Sequence, residues 1–275
     1  CQVLAKPFHQ REQEPARAES KKAIYHCADF YSYKRRKADY FPIGPFVTGG
    51  LDLVRVITKV PKIMTADAIL DLHEVLLGRA SGADLEVLEF PVTDKDSLER
   101  LRDIRVKLSS ETSRLAYLAR VEGPLSLALD AVKIADMICW ATPAERDYAA
   151  YLDALKATGM VNLVEADTAE LARKYEAASL YKAVPTMTSL RGTDSGKLIR
   201  EYRALAAYGG TSPILIRAPR ENTPDEQVLR ASTLIGGLLC DGVGDVVSID
   251  ADLPFERGLS LLYNVLQGAG VRITK

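Results

Sequence analysis

Four cysteines (Cys1, Cys27, Cys139, Cys240) and three histidines (His9, His26, His73) offer the most reactive chemistry in this chain, as metal ligands or as a thiol–imidazole pair. Their spacing supports neither use. No two cysteines form a C-x-x-C, so the chain lacks the ligand pattern of a zinc ribbon or a complete ferredoxin-type iron–sulfur site. His26-Cys27 is the one adjacent pair of soft ligands, with His9 and Cys1 as its nearest helpers. Cys139, in Met137-Ile138-Cys139-Trp140, and Cys240, in Leu238-Leu239-Cys240, read as small buried hydrophobes. His73 lies in a helical pattern with no visible partner to orient its ring. No residue is assigned as catalytic, cofactor-binding or metal-binding on this basis.

Two glycine-bearing stretches raise the question of phosphate binding. Asp241-Gly242-Val243-Gly244-Asp245 has two glycines at the spacing that lets backbone N–H groups approach an anion. It falls between a helix and the following strand, whereas a dinucleotide fingerprint opens a helix after a strand, so a tight connection is the preferred reading. Thr193-Asp194-Ser195-Gly196-Lys197 resembles half a P-loop, but Gly192 is too close to Gly196-Lys197 and Leu198 follows the lysine. That reading is rejected.

The elements that must position any site are clearer. Leu51–Ile57, Asp84–Phe90, Arg114–Val121, Asp136–Ala141, Met160–Glu165, Val184–Leu190, Pro213–Arg217 and Asp245–Ile249 are short apolar runs. Helical patterns follow them in turn: Ala66–Leu77, Asp94–Lys107, Leu125–Lys133, Ala144–Ala157, Thr168–Ser179, Ser195–Tyr208, Pro224–Leu239 and Pro254–Gln267. Gly159 reads as a helix stop, Thr223 as an N-cap and Pro224 as a first helical residue. The third unit, around Gly123-Pro124, is the weakest. Strict strand–helix alternation implies parallel pairing, and eight units predict a (β/α)8 TIM-barrel-like fold of class α/β over residues 51–275, closed in preference to open or distorted.

In such a barrel, function belongs to the C-terminal ends of the strands. Lys59, Glu89, Arg120, Trp140, Glu165, Asp167, Arg191, Arg217, Arg220, Asp250 and Asp252 are expected there, a mixture suited to acid–base work or anion binding. Lys182 precedes its strand and falls at the opposite face, which leaves no plain Schiff-base lysine.

With 36 Lys+Arg against 37 Asp+Glu among 275 residues and 47% apolar residues, the chain is near neutral and able to build a core. That balance argues against disorder and against a nucleic-acid binder, and no apolar run is long enough for a membrane helix. Residues 1–10 lack a signal peptide's basic start and apolar run, so a cytoplasmic protein is expected. Residues 1–50 differ from the rest: Lys21-Lys22, Lys34-Arg35-Arg36-Lys37, several aromatics and the breakers Pro7, Pro15, Pro42, Gly44 and Pro45 read as an arm or linker that packs on something else.

The segment Leu234-Ile-Gly-Gly-Leu-Leu-Cys-Asp-Gly-Val-Gly-Asp-Val-Val-Ser-Ile249, with Leu262-Tyr-Asn-Val-Leu-Gln-Gly-Ala-Gly-Val-Arg-Ile-Thr-Lys275, resembles the long, three-domain 4-hydroxy-3-methylbut-2-enyl diphosphate synthases. That family carries G-G-L-L-x-D-G-x-G-D, then N-x-L-Q-G and a basic T-K. The stretch Phe30–Arg36 resembles the family's junction after its first barrel. The resemblance implies a first barrel that binds a cyclic diphosphate, a C-terminal domain with a 4Fe–4S cluster on three cysteines and a glutamate, and a barrel-like insertion between them. The family's C-P-x-C motif follows its T-K, where this chain stops, so the resemblance points to the insertion domain alone, without cofactor of its own. The implied whole-enzyme chemistry is the reductive ring opening of 2-C-methyl-D-erythritol 2,4-cyclodiphosphate in isoprenoid biosynthesis, with ferredoxin or flavodoxin as electron donor. The flanking substrate barrel and iron–sulfur domain would be this chain's partners, and its own role that of a noncatalytic spacer. The rival expectation is a free-standing barrel enzyme for a small anionic metabolite, with Arg191, Arg217 and Arg220 on the anion and Glu165 or Asp250 opposite. A third, docking of the electron carrier, would rest on Lys34–Lys37.

Overall fold

The computed structural model describes residues 34–78, 83–141, 143–251 and 253–272. A short antiparallel hairpin, β1 (Phe41–Ile43) and β2 (Phe46–Thr48), comes first. Eight parallel strands follow: β3 (Arg55–Lys59), β4 (Val87–Val92), β5 (Ala116–Val121), β6 (Met137–Trp140), β7 (Val161–Ala166), β8 (Thr186–Leu190), β9 (Ile214–Ala218) and β10 (Val246–Ile249). Each pairs with its neighbour in chain order and β10 pairs with β3, so the sheet closes into the expected (β/α)8 barrel. Closure removes the two free edges that the eight strands would have in an open sheet.

The outer ring comprises α1 (Ala66–Gly78), α2 (Lys95–Glu111), α3 (Leu125–Ala131), α4 (Glu145–Thr158), α5 (Ala169–Tyr181), α6 (Ser195–Ala207), α7 (Pro224–Ala231), α8 (Gly237–Cys240) and α9 (Phe255–Gly268). Local chemistry sets their ends. Asp94 and Ser97 form a capping box at α2, and Thr168, Asp194 and Thr223 cap α5, α6 and α7 through side-chain oxygens. Gly159 ends α4 in the left-handed conformation, at φ +68°. The weak third unit is real but short, seven residues in α3. Pro224–Leu239 reads as one helix in sequence; a π turn over Ser232–Gly236 interrupts it before α8. There Thr233 Oγ1 donates to Leu229 O at 2.8 Å, a back-bond that loosens the ladder just ahead of Gly236-Gly237.

Side chains alternate across each strand, so residues two apart share a face. The outward set, among them Val56, Leu88, Phe90, Ile138, Ile216 and Val247, packs under the helices. The inward set changes character along the axis. Its lower layers are apolar, with Ile57, Val87, Leu118, Met137, Leu163, Met187, Leu215 and Val246 in contact. Two residues further along the same strands stand Lys59, Glu89, Arg120, Glu165, Ser189, Arg217 and Ser248. The barrel is thus oily below and ionic at its C-terminal mouth.

The lower opening is plugged. Phe41 and Ile43 of the hairpin belong to the inner apolar cluster, and Gly44 lies so close to Ala116 that a Cβ there would stand 3.0 Å from it. Residues 34–50, read in sequence as part of an arm, are built onto this barrel's own floor. Arg35 and Arg36 pair with Asp245 at 3.2 and 3.5 Å, and Arg36 donates to Gly210 O and Ser212 O. The other end of the described chain reaches the same face: Arg272 donates to Val54 O and Glu86, just ahead of β3 and β4. Among the described residues no helix is long and apolar enough to cross a membrane.

Candidate functional site

The mouth holds a chain of alternating charge. Both Nη atoms of Arg217 (β9) donate to Glu89 (β4), at 2.6 and 3.2 Å, while its Nε stands 3.0 Å from Glu165 (β7). The other oxygen of Glu165 accepts from Nη2 and Nε of Arg120 (β5), at 2.7 and 3.2 Å, and Arg120 reaches on to Glu122. Arg217 is 5% exposed, Glu89 1% and Glu165 6%. Charges so buried persist only when paired and hydrogen-bonded. Burial would push the Glu165 carboxyl up, but Arg217 and Arg120 outweigh it and hold the group below the usual carboxylate range. Burial likewise disfavours the Arg217 and Arg120 cations, and their carboxylate partners more than reverse that, raising both.

Two outer pairs flank this chain. Lys59 Nζ lies 2.5 Å from Asp250, and Arg191 Nε 2.5 Å from Asp167, with Arg191 Nη1 on Ala141 O at 2.8 Å. Burial would raise Asp250, but the Lys59 ammonium outweighs it and lowers the group. The β8–β9 ladder stops at Ser189 and Leu215. Beyond it the strands part around the Tyr202 hydroxyl, which accepts from the N–H groups of Leu190 (3.1 Å) and Arg217 (3.0 Å) and lies 3.0 Å from Leu215 O. On this side of the mouth lies a recess of about 170 Å³ lined by Arg120, Arg191, Arg217, Arg220, Glu165 and Asp250. A larger cleft, about 920 Å³, lies over β3–β5 and the β10–α9 loop.

Of the residues expected at the mouth, the structure brings together Lys59, Glu89, Arg120, Glu165, Asp167, Arg191, Arg217, Arg220 and Asp250. Trp140 points into the wall instead, with its indole N–H on Gly123 O at 2.9 Å. Asp252 lies outside the described residues, as do Cys1, His9, His26 and Cys27. His73 has the partner that the sequence does not reveal: its Nδ1 is 3.1 Å from Asp84, but at the barrel's lower end. Lys182, also below, pairs with Asp153 at 2.8 Å. The Asp241–Asp245 stretch is a tight connection at the floor. Gly242 (φ +78°) accepts the Arg36 N–H through its carbonyl, and Asp245 accepts the Ile214 N–H. Asp194 caps α6 by accepting the Lys197 N–H at 3.0 Å, the ordinary use of that position.

The described cysteines do not fit an iron–sulfur cluster. Cys139 is buried among the inner apolar residues, where burial pushes its thiol up and disfavours the thiolate a metal requires. Cys240 sits exposed on the outer ring at the end of α8. Among the described residues no three His, Cys, Asp or Glu are grouped to hold a metal ion.

No family model matches the chain. Over 64 residues it is 36% identical to the 4-hydroxy-3-methylbut-2-en-1-yl diphosphate synthase (flavodoxin) of Chlorobaculum tepidum, covering 23% of this chain and 9% of that protein. It is 35% identical over 86 residues to the synthase of the same name from Leptospira interrogans, covering 30% and 13%. It is 33% identical over 113 residues to the chloroplastic, ferredoxin-type synthase of Oryza sativa, covering 37% and 15%. Each match thus spans under a sixth of the relative's length. In fold, the barrel resembles a truncated 3-deoxy-D-arabino-heptulosonate 7-phosphate synthase from Thermotoga maritima, with TM-score 0.59, 12% identity, and 85% and 91% of the two chains covered. The corresponding aldolase structure from that organism gives 0.58, again at 12% identity, covering 86% and 75%. The chain is a (β/α)8 barrel related over part of its length to the hydroxymethylbutenyl diphosphate synthases.

Proposed function

We propose that this chain is the barrel insertion of a long-form 4-hydroxy-3-methylbut-2-enyl diphosphate synthase, and that it positions its neighbours without taking part in the ring-opening reaction. The partial sequence relation supports the assignment to that enzyme. The observation that carries the noncatalytic role is the paired mouth. Glu89, Glu165, Asp167 and Asp250 each sit on a cation within hydrogen-bond reach. A general base needs a carboxylate or imidazole able to take a proton near neutral pH, and Glu165 and Asp250 are both shifted away from that range. The cluster chemistry and the diphosphate grip would belong to the flanking domains, with ferredoxin or flavodoxin as electron donor.

The test is an assay of the full-length synthase that contains this insertion. Glu165→Gln, in protein shown to be folded, should leave turnover within about twofold, whereas a general acid or base would cost roughly 100-fold or more. Reading the gene past Lys275 should also show a cysteine-rich continuation. A second reading, a barrel enzyme for a small anionic metabolite, draws support from the arginine-lined recess. It requires turnover of a phosphorylated metabolite by the isolated chain, which the first reading forbids.

A further inference from the structure

Apolar side chains face water in the cleft over β3–β5 and the β10–α9 loop. Pro61, Ile63, Met64, Leu253 and Phe255 wall its volume of about 920 Å³. Ile63 is 92% exposed, and Met64, Leu253 and Phe255 are only partly covered. Arg100 pins the loop that carries Ile63, because its Nη2 donates to Pro61 O at 2.7 Å and to Met64 O at 2.8 Å. The charges on the wall answer one another or their neighbours. Lys59 is paired with Asp250, Arg120 with Glu165 and Glu122, and exposed Lys62 interacts with the Asp94 carboxylate. A small hollow of about 30 Å³ adjoins the cleft between β3, β10 and α9, and shares Lys59, Ala251, Leu253 and Phe255 with it. Thr58 lines this hollow and is 6% exposed, and its buried hydroxyl has no hydrogen-bond partner among the described residues. Buried polar atoms are nearly always satisfied, and one left without a partner is costly.

We infer that the cleft and the hollow together form a ligand site for a small uncharged molecule with an apolar body and one hydrogen-bonding end, an aliphatic alcohol in its simplest form. The body lies on Ile63, Met64, Leu253 and Phe255, and the end meets the Thr58 hydroxyl in the hollow, whose volume suits one polar atom. An alcohol both donates and accepts there, as the threonine hydroxyl does. A carboxylate or ammonium in the same place would lose its hydration and meet only charges that already hold each other. The volume of the cleft, and its place at the C-terminal ends of the strands, are those of ligand pockets in this architecture. Binding requires no ion pair of the mouth to part, so the site is independent of the spacer role.

NMR titration of the chain near neutral pH with hexanol, hexanoate and hexylammonium tests this directly, since the three share an apolar body and differ in the charge of one end. Hexanol should bind at least about tenfold more tightly than either ion. Thr58→Val, which keeps the branched shape and removes the hydroxyl, should weaken hexanol about fivefold and leave the ions unchanged. In the unaltered protein, methyl resonances of Ile63, Met64 and Leu253 should move with hexanol while those of Ile43 and Met187, deep in the barrel, stay put. No binding of hexanol, equal or tighter binding of either ion, or shifts confined to other methyls would overturn the proposal. So would a Thr58→Val protein that binds hexanol as the unaltered protein does, which would mark the Thr58 hydroxyl as satisfied by water alone.

Discussion

Replacing Arg217 with methionine keeps much of the side chain's bulk and removes the charge at the centre of the mouth. Glu89, 1% exposed, then loses both Nη donors, and Glu165 loses one of its two cations. Removing one partner of a buried ion pair costs about 3–5 kcal/mol, because the other charge stays desolvated. For a domain of this size that corresponds to a fall in Tm of roughly 10 °C. The loss should depend on pH with a definite sign. In the unaltered protein the folded Glu165 carboxyl lies below its usual range, so its contribution is in force above an unfolded value of about 4.3 and fades as pH falls through the lower folded value. In Arg217→Met burial is opposed chiefly by Arg120, with Arg191 behind it, so Glu165 rises and the carboxylate form becomes a liability near neutral pH. The gap between the two proteins should therefore be widest near neutrality and narrow towards about pH 4, as the stranded carboxyls take up protons. Urea unfolding across that range measures it. The double variant Glu89→Gln/Arg217→Met should recover at least about half of the loss, since no carboxylate is then left without a cation. A loss under about 1 kcal/mol at pH 7, or one independent of pH, would show that the network is not what holds the mouth.

Three further outcomes follow from the floor and the core. At Gly242 (φ +78°) a Cβ would stand 2.3 Å from Lys34 O, so Gly242→Ala should cost about 3 kcal/mol, against about 1 kcal/mol for Gly159→Ala, where a Cβ meets nothing within 4 Å; equal losses by urea unfolding would refute the contact. Asp245→Asn weakens the hold on Arg35 and Arg36 and should speed amide exchange across residues 41–48, with a stability loss of about 2–3 kcal/mol; unchanged exchange would refute it. Thiol reagents should label exposed Cys240 in the native protein and spare Cys139 until unfolding; mass mapping that finds Cys139 modified at a native rate would contradict its burial.

The barrel was legible because most strands are short apolar runs and several helices carry a stop or a start, as at Gly159 and Thr223. The hairpin was not. In Phe41-Pro-Ile-Gly-Pro-Phe-Val-Thr48 the prolines resemble breakers, and three-residue strands are too short for periodicity to show. One signal was present: Ile43 pairs with Phe46 across a two-residue loop whose first residue, Gly44, has φ +54°, the Gly-first pattern of a type II′ turn. The mouth was half legible. Its members could be placed at strand ends, and the period-2 switch from apolar to charged, as in Leu118-x-Arg120, Leu163-x-Glu165 and Leu215-x-Arg217, already marks an ionic upper layer. Who holds whom could not be read. Arg217 and Glu89 are 128 positions apart, and Arg120 and Glu165 45, so only closure of the cylinder brings them together.

Both ends of the described chain, Lys34 beside Gly242 and Arg272 beside Val54, lie at the plugged floor, so the described chain enters and leaves the cylinder at one end. The separation of Lys34 and Arg272 is therefore set by the floor, and the height of the cylinder does not enter it. Loops on the far rim are then free to lengthen or shorten without moving Lys34 or Arg272, while a single residue added to a floor turn would shift one against the other.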